Sequence, residues 1–526
     1  MRRNYEIWIV PFFGQGHVLP SIELAKHVAS RKFKASLVIP THLSSSIPSS
    51  LRHFPLLEVI EFPGNSSPPS PPPPQQPSSD LPLPPNHHHD RHGHMSQGLE
   101  TLLSAISQQP NTRLPICALV DVMMSSTSEA FKRFEIPTIG FFTSGACSAA
   151  MEYAMWKAKV KELKPGEVCL FDGLPEDMAL SDLDLKWRHR DHPGGGVPPP
   201  PPGGLIGAPP PPPGGLIGAP PPPPGGLMGA PPLGPPRQGD RPPWLEAAEG
   251  SIAFMYNTCD ELESEFLRYI ADQTAKPVWG VGPLLPDKYW VSTGSIVHDG
   301  EIRANRRSTM TEEEVNSWLD SKPKRSVLYV SFGSEVEPIM DEYPQLADAL
   351  EATDMSFIWV IQSGSGRPGP PPHMLRGESE GEQGYFPHGL DKRVGERGLI
   401  IHGWAPQLLI LSHPSTAAFL SHCGWNSAME ALGRGVPILA YPIRGDQYNN
   451  AQLIVNHLKV GCMISVTEDF IKKDDIVKGI ERVVGDDEMK IRAAALSAKF
   501  ENGFPESSTR SLDAFRDFIN QKAETQ

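Results

Sequence analysis

Residues 404–447 read WAPQLLILSHPSTAAFLSHCGWNSAMEALGRGVPILAYPIRGDQ. The run Thr416–Leu420 has the length and apolar character of a buried strand. It stops at His422, Cys423 and Gly424, and a helical pattern begins at once, with Met429, Leu432 and Val436 on its apolar side. A strand that ends in His-x-Gly and turns straight into a helix makes an anion cradle. Glycine lets the backbone come close, and the helix N-terminus offers unpaired N–H groups and the positive end of its dipole. Asn426 and Ser427 add side-chain donors there. Glu430 lies one turn beyond Asn426 and shares its face; a carboxylate there repels phosphate but suits the paired hydroxyls of a ribose. A second strand, Pro437–Tyr441, leads to Asp446 and Gln447, and Trp404 opens the stretch with a flat aromatic face. A ring stacker, a ribose acceptor, a diphosphate cradle and a hydroxyl reader together suit a nucleotide sugar.

The stretch resembles the signature box of plant family 1 glycosyltransferases, and its 44 residues match the length of that box. The resemblance implies that Trp404 stacks on uracil and that Ala405 and Gln407 contact the base or ribose. It implies that His422, Asn426 and Ser427 hold the diphosphate, that Glu430 binds the ribose, and that Trp425, Asp446 and Gln447 lie at the sugar. In that family a terminal Gln accompanies UDP-glucose where a His accompanies galactose, and Trp425 stands where an Arg would accompany a glucuronate. The implied architecture is α/β: two doubly wound, Rossmann-like domains facing a cleft, the GT-B arrangement. No cofactor is implied beyond the UDP-glucose donor itself.

The 526 residues suffice for two or three domains. A net charge of −14 argues against nucleic-acid or anionic-membrane partners. Six cysteines without a CxxC read as reduced thiols, which points to the cytoplasm. No stretch approaches the roughly 18 apolar residues of a membrane span. The expected partners are UDP-glucose and a small lipophilic acceptor, bound by a monomer.

Upstream, Tyr5–Phe13 is a strand, Gly14-Gln15-Gly16-His17 a tight turn, and Pro20 marks the start of a helix carrying Ile22, Leu24, Ala25 and Val28. As a nicotinamide fingerprint this fails, because Leu19 stands where the third glycine belongs and the next strand ends without a ribose-binding carboxylate. Cys117–Asp121 is a strand ending on a carboxylate; Thr138–Phe142 is another, followed by Thr143-Ser144-Gly145. Residues 64–97 are rich in Pro, Ser and His and read as an exposed loop, with metal capture by its histidines the lesser alternative. Residues 194–243 carry three GGL(I/M)GA copies at Gly203, Gly214 and Gly225 between proline runs, which cannot bury a core. A solvated spacer is favoured there over weak docking to SH3 or WW modules. The expected domains are 1–283 with those two insertions, a linker at 284–310, a second domain at 311–503, and a final helix within 504–526 that in the family packs back on the first.

Glycoside formation needs a stabilised leaving diphosphate and a general base. His17, after the first strand, and Asp121, ending a later one, face one crevice in a parallel sheet, and an aspartate fixes the tautomer of a histidine base. By itself a histidine in a glycine turn would be only a turn residue; QGH also matches the family's catalytic histidine, and Asp121 its partner. Thr143 matches a threonine near the sugar, and Ser334, in the turn Ser331-Phe332-Gly333-Ser334, can add a hydroxyl at the phosphates. Asp182-Leu183-Asp184 has the form of a metal-binding DxD but reads as chance, so no metal is expected. The implied reaction is inverting transfer of glucose to a hydroxyl, or an aromatic carbon, of a small plant metabolite such as a flavonoid or other phenolic. The competing reading is a proline-rich interaction protein on an inactive scaffold.

Overall fold

The computed structural model describes residues 5–63, 87–110, 113–189, 239–291, 296–298, 308–362, 387–466 and 470–525. The GGL(I/M)GA repeats, the loop at 363–384, most of the linker and the side chains of the histidine cluster lie outside the described residues.

The first lobe holds β1 (Glu6–Val10), β2 (Lys34–Pro40), β3 (Leu57–Phe62), β4 (Cys117–Asp121), β5 (Thr138–Phe142), the short β6 (Val168–Cys169) and β7 (Leu180–Ser181), β8 (Ser251–Tyr256) and β9 (Val278–Gly280). All but the β6–β7 pair form one parallel sheet in the order β3-β2-β1-β4-β5-β8-β9. The second lobe holds β10 (Val327–Ser331), β11 (Ser356–Ile361), β12 (Gly398–His402), β13 (Thr416–Ser421), β14 (Ile438–Ala440) and β15 (Gly461–Met463), parallel in the order β12-β11-β10-β13-β14-β15. These strands are nearly continuous apolar runs because helices cover both faces of each sheet.

Each sheet reverses its winding once, between β1 and β4 in the first lobe and between β10 and β13 in the second. Ligand crevices form at such points, outside the carboxyl ends of the strands. His17 follows β1 and Asp121 ends β4; the Gly333 turn follows β10 and the His422–Gly424 turn follows β13. Each candidate group therefore sits at the crevice of its own sheet, and the contact of Asn426 Nδ2 with the Gly16 carbonyl at 2.9 Å brings the two together.

The C-terminal helix, Glu506–Thr525, buries Leu512, Phe515 and Ile519 in the first lobe's core beside Ile7, Leu24 and Trp279. Arg31 clamps it through Asp513 at 2.9 Å.

Three boundaries differ from the sequence reading. The loop expected over 64–97 ends sooner, for a helix starts at His87, and its Met95, Leu99 and Leu103, four apart, seal against Trp8, Phe62 and Phe131. The second insertion ends sooner, since Pro243 opens a helix (Pro243–Glu249) whose Trp244 is buried. The first helix, Gln15–Ser30, begins five residues before Pro20, so His17 belongs to its first turn and Pro20 lies inside it. Near a helix start Pro costs less than in mid-helix, and here its missing N–H has a use described below.

Candidate functional site

The base candidate is assembled at the first sheet's winding reversal. Asp121 is fully buried, and its Oδ2 lies 2.7 Å from His17 Nδ1. Thr143 Oγ1, arriving from the end of β5, is 2.9 Å from the same nitrogen. Phe12 meets the imidazole edge-on at 5.1 Å. Asp121 also accepts the Met123 N–H at 2.9 Å, so it caps a 3₁₀ turn that begins at Val122. One carboxylate thus caps this turn and holds the imidazole.

With Nδ1 held by Asp121, Nε2 is the nitrogen left to face the cleft. Burial alone would pull the His17 pKa down, but the charge and hydrogen bond of Asp121, then the charges of Glu335 and Asp446, outweigh it and raise the pKa above 6.5.

The second lobe presents the cradle. Cys423, at φ 62°, makes the left-handed turn that aims the chain into the helix Trp425–Leu432, with Gly424 at its N-cap. The His422 ring is wedged between two glycines: a Cβ on Gly333 or Gly424 would meet it at 2.8 and 2.4 Å. Burial pushes its pKa down to about 4, so it is a neutral imidazole at physiological pH. Gln407 Nε2 donates to Ser427 Oγ at 3.0 Å and to Glu430 Oε2 at 2.7 Å, joining three candidates in one buried cluster. Trp404 is half-buried just after β12, with Ala405 buried beside it. Ser334 is exposed on its turn.

Gln447 turns its Oε1 back onto the amides of Ile443 and Arg444, at 2.9 and 3.0 Å, which leaves Nε2 as the donor available to a ligand. Asp446 accepts Asn450 Nδ2 at 3.0 Å. Trp425 is 4% exposed and its Nε1 donates 2.6 Å across the lobes to the Asn257 carbonyl. Its ring packs on Gly145, where a Cβ would lie 2.4 Å from it. This residue fastens the lobes together and has only its ring faces and backbone to offer a sugar.

A second bridge is Asn426 Nδ2 to the Gly16 carbonyl, 2.9 Å. Inside a helix that carbonyl would accept the N–H of residue 20, and residue 20 is the proline. A cavity of about 440 Å³ runs between the lobes from Leu19, Glu23 and Phe54 to Asn426 and Glu430.

Residues 288–502 match the family described as UDP-glucoronosyl and UDP-glucosyl transferase. UDP-glycosyltransferase 92A1 of Arabidopsis thaliana is 29% identical over 98% of this chain and 97% of its own length. The second lobe carries the UDP-glycosyltransferase domain. Across nearly its whole length the chain is similar to plant UDP-glycosyltransferases. A cinnamate beta-D-glucosyltransferase of Fragaria ananassa is 36% identical over 52% of this chain and 46% of its own. A transferase from Glycyrrhiza uralensis, solved with glycyrrhetinic acid 3-O-monoglucuronide, superposes with a TM-score of 0.71 at 22% identity, covering 99% of this chain and 97% of that one. Its likeness establishes the GT-B fold. Among the described residues no helix is long and apolar enough to cross a membrane.

Sequence reasoning overlooked Glu335, whose carboxylate lies against Gly14. The only signal was its place directly after Ser334. It also overlooked Asn257 and Glu263. Glu263 accepts the amides of Ala146 and Cys147 at 2.9 and 2.8 Å and so fixes the helix start beside Trp425. The two aspartates of the DxD lie at the start of the helix Asp182–His189. Asp182 accepts from the Gly166 amide at 3.1 Å and Asp184 from the Ser181 amide at 2.8 Å.

Proposed function

We propose that this enzyme is an inverting, metal-independent glucosyltransferase, cytoplasmic and monomeric, that moves glucose from UDP-glucose to a hydroxyl of a small plant phenolic. The observation that carries the reading is the 2.7 Å contact between His17 Nδ1 and Asp121 Oδ2, opposite the glycine-lined cradle. His17 Nε2 takes the acceptor's hydroxyl proton. The acceptor oxygen then bonds to the anomeric carbon as the bond from that carbon to the diphosphate oxygen breaks, and UDP departs with the electron pair. Attack opposite the leaving group turns an α-linked donor into a β-glucoside.

Departing charge is met by the N–H groups at the start of the helix Trp425–Leu432, by its dipole, and by Asn426 and Ser427. These fixed donors supply what a metal would otherwise provide. The DxD aspartates support this, being committed to local backbone amides. Trp404, Ala405, Gln407 and Glu430 are assigned to the nucleoside, His422 and Ser334 to the phosphates, and Thr143, Trp425, Asp446 and Gln447 to the sugar end. Glucose rests on Gln447, and the phenolic acceptor on the partial likeness to the strawberry cinnamate enzyme.

His17→Ala is expected to lose transfer and keep UDP binding; unchanged turnover refutes the base assignment. EDTA is expected to leave the rate intact, and strong inhibition reversed by Mn²⁺ refutes the metal-free reading. Incubation with UDP-glucose and a panel of plant phenolics, read by mass, tests donor and acceptor together.

A further inference from the structure

We propose that Glu335 is a specificity-determining residue of the transfer site, accepting a hydrogen bond from a hydroxyl of the sugar being transferred. Four observations place it there. Its Oε1 is buried and has no hydrogen-bond partner among the described residues. That oxygen lies against Gly14, in the turn that carries His17; a Cβ there would come within 2.6 Å of it. Its charge is felt by both His17 and Asp446, so it stands between the base and the sugar-reading strand exit. The Arg444 guanidinium donates 3.2 Å to the Glu335 carbonyl, which ties the turn after β10 to the loop bearing Asp446 and Gln447.

The chemistry narrows the ligand. A carboxylate only accepts, so its partner must bring a hydroxyl or an ammonium. The diphosphate is excluded by charge. Leaving a buried carboxylate oxygen unpaired is costly, and the cost is relieved when a neutral polyol enters. With Asp446 and Gln447 assigned to the sugar end, the hexose ring is the part of a UDP-sugar that falls to the space between His17 and Asp446. Gly14 has its own part in this: any side chain there would displace the Glu335 carboxylate.

The assignment rests on the site reading above, and its test is built to fail separately. Glu335→Ala and Glu335→Gln are compared with wild type, using whichever UDP-hexose the wild type turns over, with UDP alone as the control ligand. A wrong donor assignment therefore leaves this comparison intact. The expected result for Glu335→Ala is a loss of about tenfold or more in kcat/KM for the UDP-hexose, the usual consequence of deleting a hydrogen bond to a charged group. UDP affinity is expected to be unchanged or higher, because a negative charge has left the neighbourhood of the phosphates. Glu335→Gln keeps the shape and one acceptor oxygen and should lose less. A kcat/KM within twofold of wild type in both variants overturns the proposal. So does a parallel fall in UDP affinity, which would make Glu335 a support of the phosphate turn rather than a reader of sugar.

Discussion

Replacing Asp121 by Asn tests the mechanism at its most buried point. The side chain keeps its volume and can still accept from His17 Nδ1, so the fold should persist. What disappears is the negative charge beside an imidazole that becomes a cation when it takes the acceptor's proton. The contact is 2.7 Å and Asp121 has no solvent exposure, so water does little to screen it. Two unit charges about 4 Å apart at the effective dielectric of a protein interact by about 4 kcal/mol. At about 1.4 kcal/mol per factor of ten, that is roughly a thousandfold in kcat. The cradle is on the other lobe and Asp121 touches none of it, so UDP binding should hold. The assay is steady-state turnover of UDP-glucose with a phenolic acceptor, paired with calorimetric titration of UDP. A kcat within tenfold of wild type, with UDP affinity intact, would refute the coupling of Asp121 to the base.

The same pair sets the pH dependence. His17 must be neutral to accept a proton and its pKa is raised above 6.5, so kcat/KM should climb with pH through a midpoint above 6.5, and that midpoint should move down in Asp121→Asn. Glu152, bonded to Trp244 Nε1 at 3.0 Å, has its pKa pushed up to about 7, first by burial and then by the charge of Asp446, with Arg188 opposing. Stability linked to its proton is present below the unfolded value near 4.5 and lost as pH rises through about 7, so Glu152→Gln should raise Tm at pH 8 and leave it nearly unchanged at pH 4. Trp425→Phe strands the Asn257 carbonyl between the lobes and should cost about 1–3 kcal/mol in chemical denaturation. Phe515→Ala, emptying a fully buried position where the C-terminal helix meets the first lobe, should cost about 3–5 kcal/mol.

Many of the strands, though not their order in the sheets, could be read from the sequence because parallel strands covered on both faces are dense apolar runs, and the residues that end them are abruptly polar. That is why His17, Asp121 and the 404–447 stretch stood out. Helix starts were harder to read. The run from His87 is polar for two turns before Met95, so its apolar period carries no signal until Leu99 joins it. Pro20 reads as a beginning because proline favours first turns, yet the helix starts at Gln15, and the Gly16 carbonyl that would need the residue-20 N–H is met by Asn426 instead. Contacts between lobes could not be read at all. Trp425 with Asn257, and Glu335 with Gly14, are pairings of residues far apart in the chain, and a single chain carries no local trace of them. Glu335 is the sharper case, since a glutamate after a serine in a turn looks like ordinary solvent-facing polarity.

The proline at position 20 has a reach beyond its own helix. By withholding a proton it leaves the Gly16 oxygen unclaimed, and Asn426, on the opposite lobe, takes it. One carboxamide therefore joins the turn before His17 to the start of the helix Trp425–Leu432 on the other lobe. An alanine at position 20 would hand the oxygen back to its own helix and let the two lobes drift apart.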